Sequence, residues 1–77
     1  MKTEYKYIRF IELPSSGTTK RWDCQNRRHG HTLGIVRWSG GWRQYVYDSG
    51  PAQYSGGCLK DIEDFLVQAM RERKGKT

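Results

Sequence analysis

Between Arg37 and Tyr45 the chain reads Arg37-Trp38-Ser39-Gly40-Gly41-Trp42-Arg43-Gln44-Tyr45, with two guanidinium groups set among three aromatic rings. These residue types can bind nucleotides in two ways. A ring stacks on a base, a contact worth about 1–3 kcal/mol. A guanidinium grips a phosphate through a bidentate fork. The Gln44 amide adds a group able to hydrogen-bond a base edge. Arg21-Trp22 repeats the cation–ring pairing upstream, and Tyr47 continues the ring series downstream. A structural reading competes: a chain short of aliphatics builds its core from rings and lays arginines over them by cation–π contact. Stability requires no arginine at both ends of the segment. The ligand reading is therefore preferred, with Arg21, Trp22, Arg37, Trp38, Trp42, Arg43, Gln44, Tyr45 and Tyr47 as candidate contacts.

A second candidate is the loop Asn26-Arg27-Arg28-His29-Gly30-His31. Arg27 and Arg28 supply charge, and Gly30 permits backbone angles that aim N–H groups at an anion. Solvated loop charge is the alternative. Cys24, His29 and His31 are possible metal ligands close in sequence. Their spacing fits no zinc pattern, and a fourth ligand is missing unless Cys58 folds in; no metal is expected. Glu12, Asp23 and Asp48 stand apart, and no Ser-His-Asp or Cys-His signature surrounds a nucleophile. His29 or His31 could serve as a general base on a phosphodiester, but nothing in the spacing singles them out. The chain is expected to bind rather than to catalyse, and to need no cofactor.

The elements that must carry these residues are legible in outline. Tyr5 to Leu13 alternates as a strand, Pro14-Ser15-Ser16-Gly17 is a turn, and Thr18 to Gln25 is a second strand. Thr32 to Trp38 and Trp42 to Asp48 form a third and a fourth, joined by the tight turn Ser39-Gly40-Gly41. Gly34 inside the third strand signals a bulge or the close approach of another group. Gln53-Tyr54-Ser55 is expected as a short edge strand. From Cys58 to Lys74, apolar residues at Leu59, Ile62, Phe65, Leu66, Ala69 and Met70 draw one helical stripe. Asp61, Glu63 and Asp64 are placed in its first turns, and Arg71, Arg73 and Lys74 in its last, as the helix dipole favours. Residues 75–77 are expected to fray. The fold class is thus α+β: one antiparallel meander of four to five strands over residues 5–55, with the amphipathic helix 58–74 on one face.

Its 77 residues allow a single domain, 1–77. A chain this short buries only about 60% of its unfolded surface, which makes a homodimer or higher oligomer a natural supplement. The net charge is +6. Residues 18–45 set Lys20, Arg21, Arg27, Arg28, Arg37 and Arg43 against Asp23 alone, whereas bases and acids nearly balance from Leu59 onward. That asymmetry implies an anionic partner on the sheet side. No apolar run is long enough to span a membrane, and no secretory leader opens the chain. The expected location is the cytoplasm, with Cys24 and Cys58 as thiols.

The run Leu33-Gly34-Ile35-Val36-Arg37-Trp38-Ser39-Gly40-Gly41-Trp42-Arg43-Gln44-Tyr45, followed by Gly57-Cys58-Leu59-Lys60-Asp61-Ile62, resembles small, mostly uncharacterised proteins of bacteriophages and bacterial mobile elements. Tyr7-Ile8-Arg9-Phe10 and Lys20-Arg21-Trp22 fit the likeness too. Ser39, Val46 and Ser49-Gly50-Pro51 depart from it, standing where a ring, a cysteine and an aromatic–proline run are usual. The resemblance implies a phage setting, the host cytoplasm, and by analogy of context a counter-defence role. Together these expectations describe a binder of an anionic nucleotide, acting as a sponge for a host immune signal. The alternatives are a single- or double-stranded nucleic-acid binder, or a protein that inhibits a host defence complex.

Overall fold

Four short runs of alternating residues pair into one sheet. They are β1 (Ile8–Leu13), β2 (Arg21–Asn26), β3 (Thr32–Ser39) and β4 (Gln44–Ser49), antiparallel throughout and in the spatial order β1-β2-β3-β4. The helix α1 (Gly56–Lys74) follows and packs on one face, an α+β arrangement. The computed structural model describes residues 1–15, 17–51 and 53–74. The expected fraying of residues 75–77 falls outside them.

Alternation decides which strand residues meet the helix. Ile8 and Phe10 of β1, Trp22 and Cys24 of β2, Val36 of β3 and Tyr45 of β4 are buried together with Ile62, Phe65 and Ala69 of α1. Phe65 is the centre: its ring stacks on Phe10 at a centroid distance of 3.9 Å and meets Trp22 edge-on at 5.1 Å. Truncating such a ring to alanine costs about 3–5 kcal/mol. The opposite face carries Arg9, Ile11, Arg21, Asp23, Ile35, Arg37, Gln44 and Val46, and no helix among the described residues covers it.

Several local features differ from the sequence reading. Gln53, Tyr54 and Ser55 form no fifth strand. Ser55 instead caps the helix: its hydroxyl accepts the Cys58 N–H at 3.2 Å, which satisfies one of the helix's unpaired donors. Because α1 therefore starts at Gly56, its first turn holds no acid, and Asp61, Glu63 and Asp64 fall in later turns. β4 starts at Gln44, so Trp42 and Arg43 belong to the preceding turn. The N-terminal segment folds back on β1, where Phe10 donates its N–H to the Thr3 carbonyl at 2.8 Å. Tyr5 thereby reaches the helix and donates its hydroxyl proton to Asp64 at 2.7 Å.

Gly34 behaves as its position in a strand suggested. A β-carbon there would lie 2.6 Å from the Asp48 carbonyl oxygen and 2.6 Å from the Tyr47 ring. Beside it the β2–β3 register slips, since Cys24 pairs with Gly34 but Gln25 pairs with Thr32. Leu33 is the extra residue of this bulge, and it joins the buried cluster.

Candidate ligand-binding cleft

Arg37 and Trp38 are sequence neighbours on opposite faces of the sheet. Trp38 lies opposite Tyr45 across the β3–β4 pair and packs against the core, whereas Arg37 lies opposite Val46 and is exposed. On that outer face the Arg37 guanidinium is ion-paired with Asp48. Trp22 and Tyr45 are 4% and 6% exposed, so their rings are core members first and show a ligand only a small surface. Tyr47 is half-buried; its hydroxyl hydrogen-bonds that of Tyr54, which donates to the Leu33 carbonyl. The rings and arginines of the segment therefore do not share one face of the sheet. The sheet's rings lie on the helix side, and Arg37 and Gln44 lie on the other.

Trp42 is the exception. It stands 76% exposed in the turn Gly40–Arg43, with its N–H on the Ser39 hydroxyl at 3.3 Å. Arg43 follows with φ 55°, a left-handed conformation that is strained for a side-chain-bearing residue. The turn thus places one ring and one guanidinium side by side in solvent.

The Arg27-Arg28 loop sits at the other end of the sheet. The eight residues of β3 separate the two ends, roughly 25 Å at the strand rise. One small ligand cannot touch both. Nor does the loop offer a backbone cradle for phosphate. The Arg28 and His29 N–H groups donate to Asn26 Oδ1, Gly30 N–H donates to the Asn26 carbonyl, and Arg27 N–H donates to the Tyr7 carbonyl. The Arg27 guanidinium donates to the Tyr5 carbonyl at 2.7 Å, tying the N-terminal segment down. Arg28, His29 and His31 remain exposed.

What the fold does assemble is a cleft at the turn end of the sheet, where the β1–β2 connection meets the last turns of α1. It encloses about 490 Å³ and is lined by Thr18, Lys20, Trp22, Tyr45, Ala69, Glu72 and Arg73. Such a volume accommodates a small organic ligand. Tyr45 spans the layer to reach it: its hydroxyl accepts the Lys20 N–H at 3.1 Å, and its ring meets Trp22 and Trp38 edge-on at 5.4 and 5.3 Å. Arg73 lies over the Trp38 face, 3.9 Å from the ring centroid. Lys20 Nζ stands 4.0 Å from Glu72 Oε1 at the rim, an exposed pair worth little to stability. The cleft thus has an aromatic floor, two cations, one carboxylate and two hydroxyls, those of Thr18 and Tyr45. Lys20, Glu72 and Arg73 were missed in the sequence reading. Arg73 was identifiable as a flank of the apolar stripe, within one helical turn of Ala69 and Met70.

The remaining reactive groups lie elsewhere. Cys24 is fully buried and Cys58 half-buried, and both are free thiols. Burial pushes the Cys24 thiol up to about 11, far from the nucleophilic range. His29 and His31 stack on each other 6.0 Å apart in the exposed β2–β3 loop, whereas Cys24 is fully buried. Among the described residues no three His, Cys, Asp or Glu side chains are grouped to hold a metal ion. No helix among them is long and apolar enough to cross a membrane. Comparison with protein-family models, curated proteins and solved structures finds no match.

Proposed function

We propose that this chain is a non-enzymatic binder of an anionic nucleotide, seated in the cleft between the β1–β2 connection and the C-terminal turns of α1. One observation carries the reading: a cleft of nucleotide size joins an aromatic floor to Lys20 and Arg73. The cations meet phosphate, Arg73 by its planar fork and Lys20 as a point charge. Glu72 accepts hydrogen bonds from ribose hydroxyls or an exocyclic amine. The rings exclude water from the base. Arg37, Gln44, Arg27 and Arg28 take no part, because they lie on the other face or at the other end. In the phage setting that the sequence resembles, such a protein sequesters a host immune signal.

Calorimetry against cyclic dinucleotides, ADP-ribose derivatives, mononucleotides and short oligonucleotides tests this. Micromolar binding of one mononucleotide or dinucleotide is expected, weakened at least about tenfold by Lys20→Glu. Failure of the whole panel to bind below the millimolar range overturns the reading.

A second reading, binding of a nucleic-acid strand, is favoured by exposed Trp42 beside Arg43. It requires affinity for oligonucleotides that falls steeply with salt. A ligand held in the cleft by two cations gives a shallower slope.

A further inference from the structure

We propose that the groove between the outer edge of β4 and α1 seats a second copy of this chain, packed helix to helix across a two-fold axis. The groove encloses about 630 Å³, and its walls include Val46 of β4 and Leu66, Val67 and Met70 of α1, with Glu63 and Arg71 toward its two ends. Val67 is 44% exposed at the middle of this wall. β4 is an edge strand with no neighbour beyond it among the described residues.

The spacing of the charges is what selects the occupant. Glu63 lies one helical turn before Val67 and Arg71 one turn after, so the three share a ridge. Two antiparallel helices related by a two-fold axis at Val67 bring Glu63 of each copy opposite Arg71 of the other. The interface is self-complementary, as an isologous dimer requires. Neither Glu63 nor Arg71 is ion-paired within its own chain among the described residues. The groove is also locally neutral on a molecule of net charge +6, so two copies meet there with little of the repulsion that their basic ends would generate. Val67, Leu66 and Met70 then leave water together, which supplements a core limited by chain length.

The contact runs through the helices and not through an extended sheet. Met70 wraps the β4 edge, and its Sδ accepts the Tyr45 N–H at 3.4 Å. That donor is withheld from a ladder with a further strand, which blunts the edge. The inference is independent of the cleft, with which the groove shares Tyr45 alone among the residues that line the two.

Sedimentation equilibrium of the full chain tests it, with far-UV circular dichroism to confirm that each variant is folded. A species of twice the 9.0 kDa chain mass is expected. Glu63→Arg and Arg71→Glu each set like charges opposite one another at both ends of the contact. Each is expected to raise the dissociation constant at least about tenfold. The double variant Glu63→Arg/Arg71→Glu restores both pairs in reversed polarity and is expected to return association to near the starting value. A wild-type monomer at ~100 μM, a concentration far above the dissociation constant of a specific dimer, overturns the proposal. So does a dimer indifferent to the single reversals, or one that the double reversal fails to restore.

Discussion

Arg73 lies over Trp38 with its guanidinium carbon 3.9 Å from the ring centroid, a contact between the last turns of the helix and the end of β3. The stacking covers the half-buried Trp38 ring, and it sets a cation in the lining of the cleft. A cation–π contact of this kind is worth about 0.5–2 kcal/mol. Arg73→Ala is expected to lose that much in urea unfolding and to shift tryptophan emission to longer wavelength as water reaches Trp38. Arg73→Lys keeps the charge but not the planar stack, so it should fall between the two. Unchanged emission in the alanine variant would contradict the contact.

Gly34 is fixed by the ring that crosses it. A methyl group there meets the Asp48 carbonyl and the Tyr47 ring at 2.6 Å, and one of these is backbone. Gly34→Ala is expected to destabilise by about 1–3 kcal/mol, the range for an overpacked core. For a chain of this length that lowers Tm by roughly 4–8 °C per kcal/mol. Gly40→Ala is the control, because nothing lies within 4 Å of a β-carbon there. Its Tm should move by a degree or two at most.

Why the sheet was more legible than the site follows from the residues themselves. Alternation along β3 already separated Arg37 from Trp38 by face, and the stripe Ile62, Phe65, Ala69 marked the buried side of α1. Periodicity does not say which sheet face the helix takes. That choice sends Trp22, Trp38 and Tyr45 inward and leaves Arg37 and Gln44 outside. The expected pairing of rings with Arg37 and Arg43 relied on neighbours in sequence, whereas the cation on Trp38 comes from the far end of the chain. Leu59 shows the same limit from the other side: it belongs to the apolar stripe but is exposed, because the buried line Ile62, Phe65, Ala69 runs back through half-buried Cys58 and leaves Leu59 at its margin. The Thr3–Tyr5 fold-back depends on backbone pairing that no side-chain pattern announces, whereas the bulge at Leu33 is signalled by Gly34 beside it.

Stability should fall on the alkaline side. Burial raises the Cys24 thiol from its ordinary 9.0 to about 11. Burial, with the Tyr54 hydroxyl next to it, raises Tyr47, and burial with the Asp64 carboxylate raises Tyr5. In each case the folded state keeps a proton that the unfolded chain releases at lower pH. The contribution of these groups is whole below about pH 9 and is lost as pH climbs, first through Cys24 and then through the tyrosines above pH 10. Chemical denaturation at pH 8, 9.5 and 10.5 is expected to show a progressive decline. Cys24→Ala should delay its onset by removing the first of the three groups. A flat profile across this range would show that these groups are not held protonated by the fold.

The turn Gly40–Arg43 gives the last test and separates the two ligand readings. Its glycines are not the residues that take the left-handed conformation; Arg43 does, at φ 55°. A side chain in that region costs about 1–2 kcal/mol. Glycine removes this strain but adds unfolded-state freedom, which returns about 0.5–1 kcal/mol. Arg43→Gly is therefore expected to stabilise the protein modestly, by up to about 1 kcal/mol, with a Tm gain of a few degrees. Strain of this kind persists where a residue is needed in place. If the turn binds a nucleic-acid strand through Trp42 and Arg43, the same variant weakens oligonucleotide binding and lowers the salt slope by roughly 0.7, one single-strand phosphate contact. If the cleft binds a nucleotide, affinity is unchanged, because Arg43 does not line it. A variant that is more stable and binds nucleotide undiminished would assign the ligand to Lys20 and Arg73 rather than to the turn.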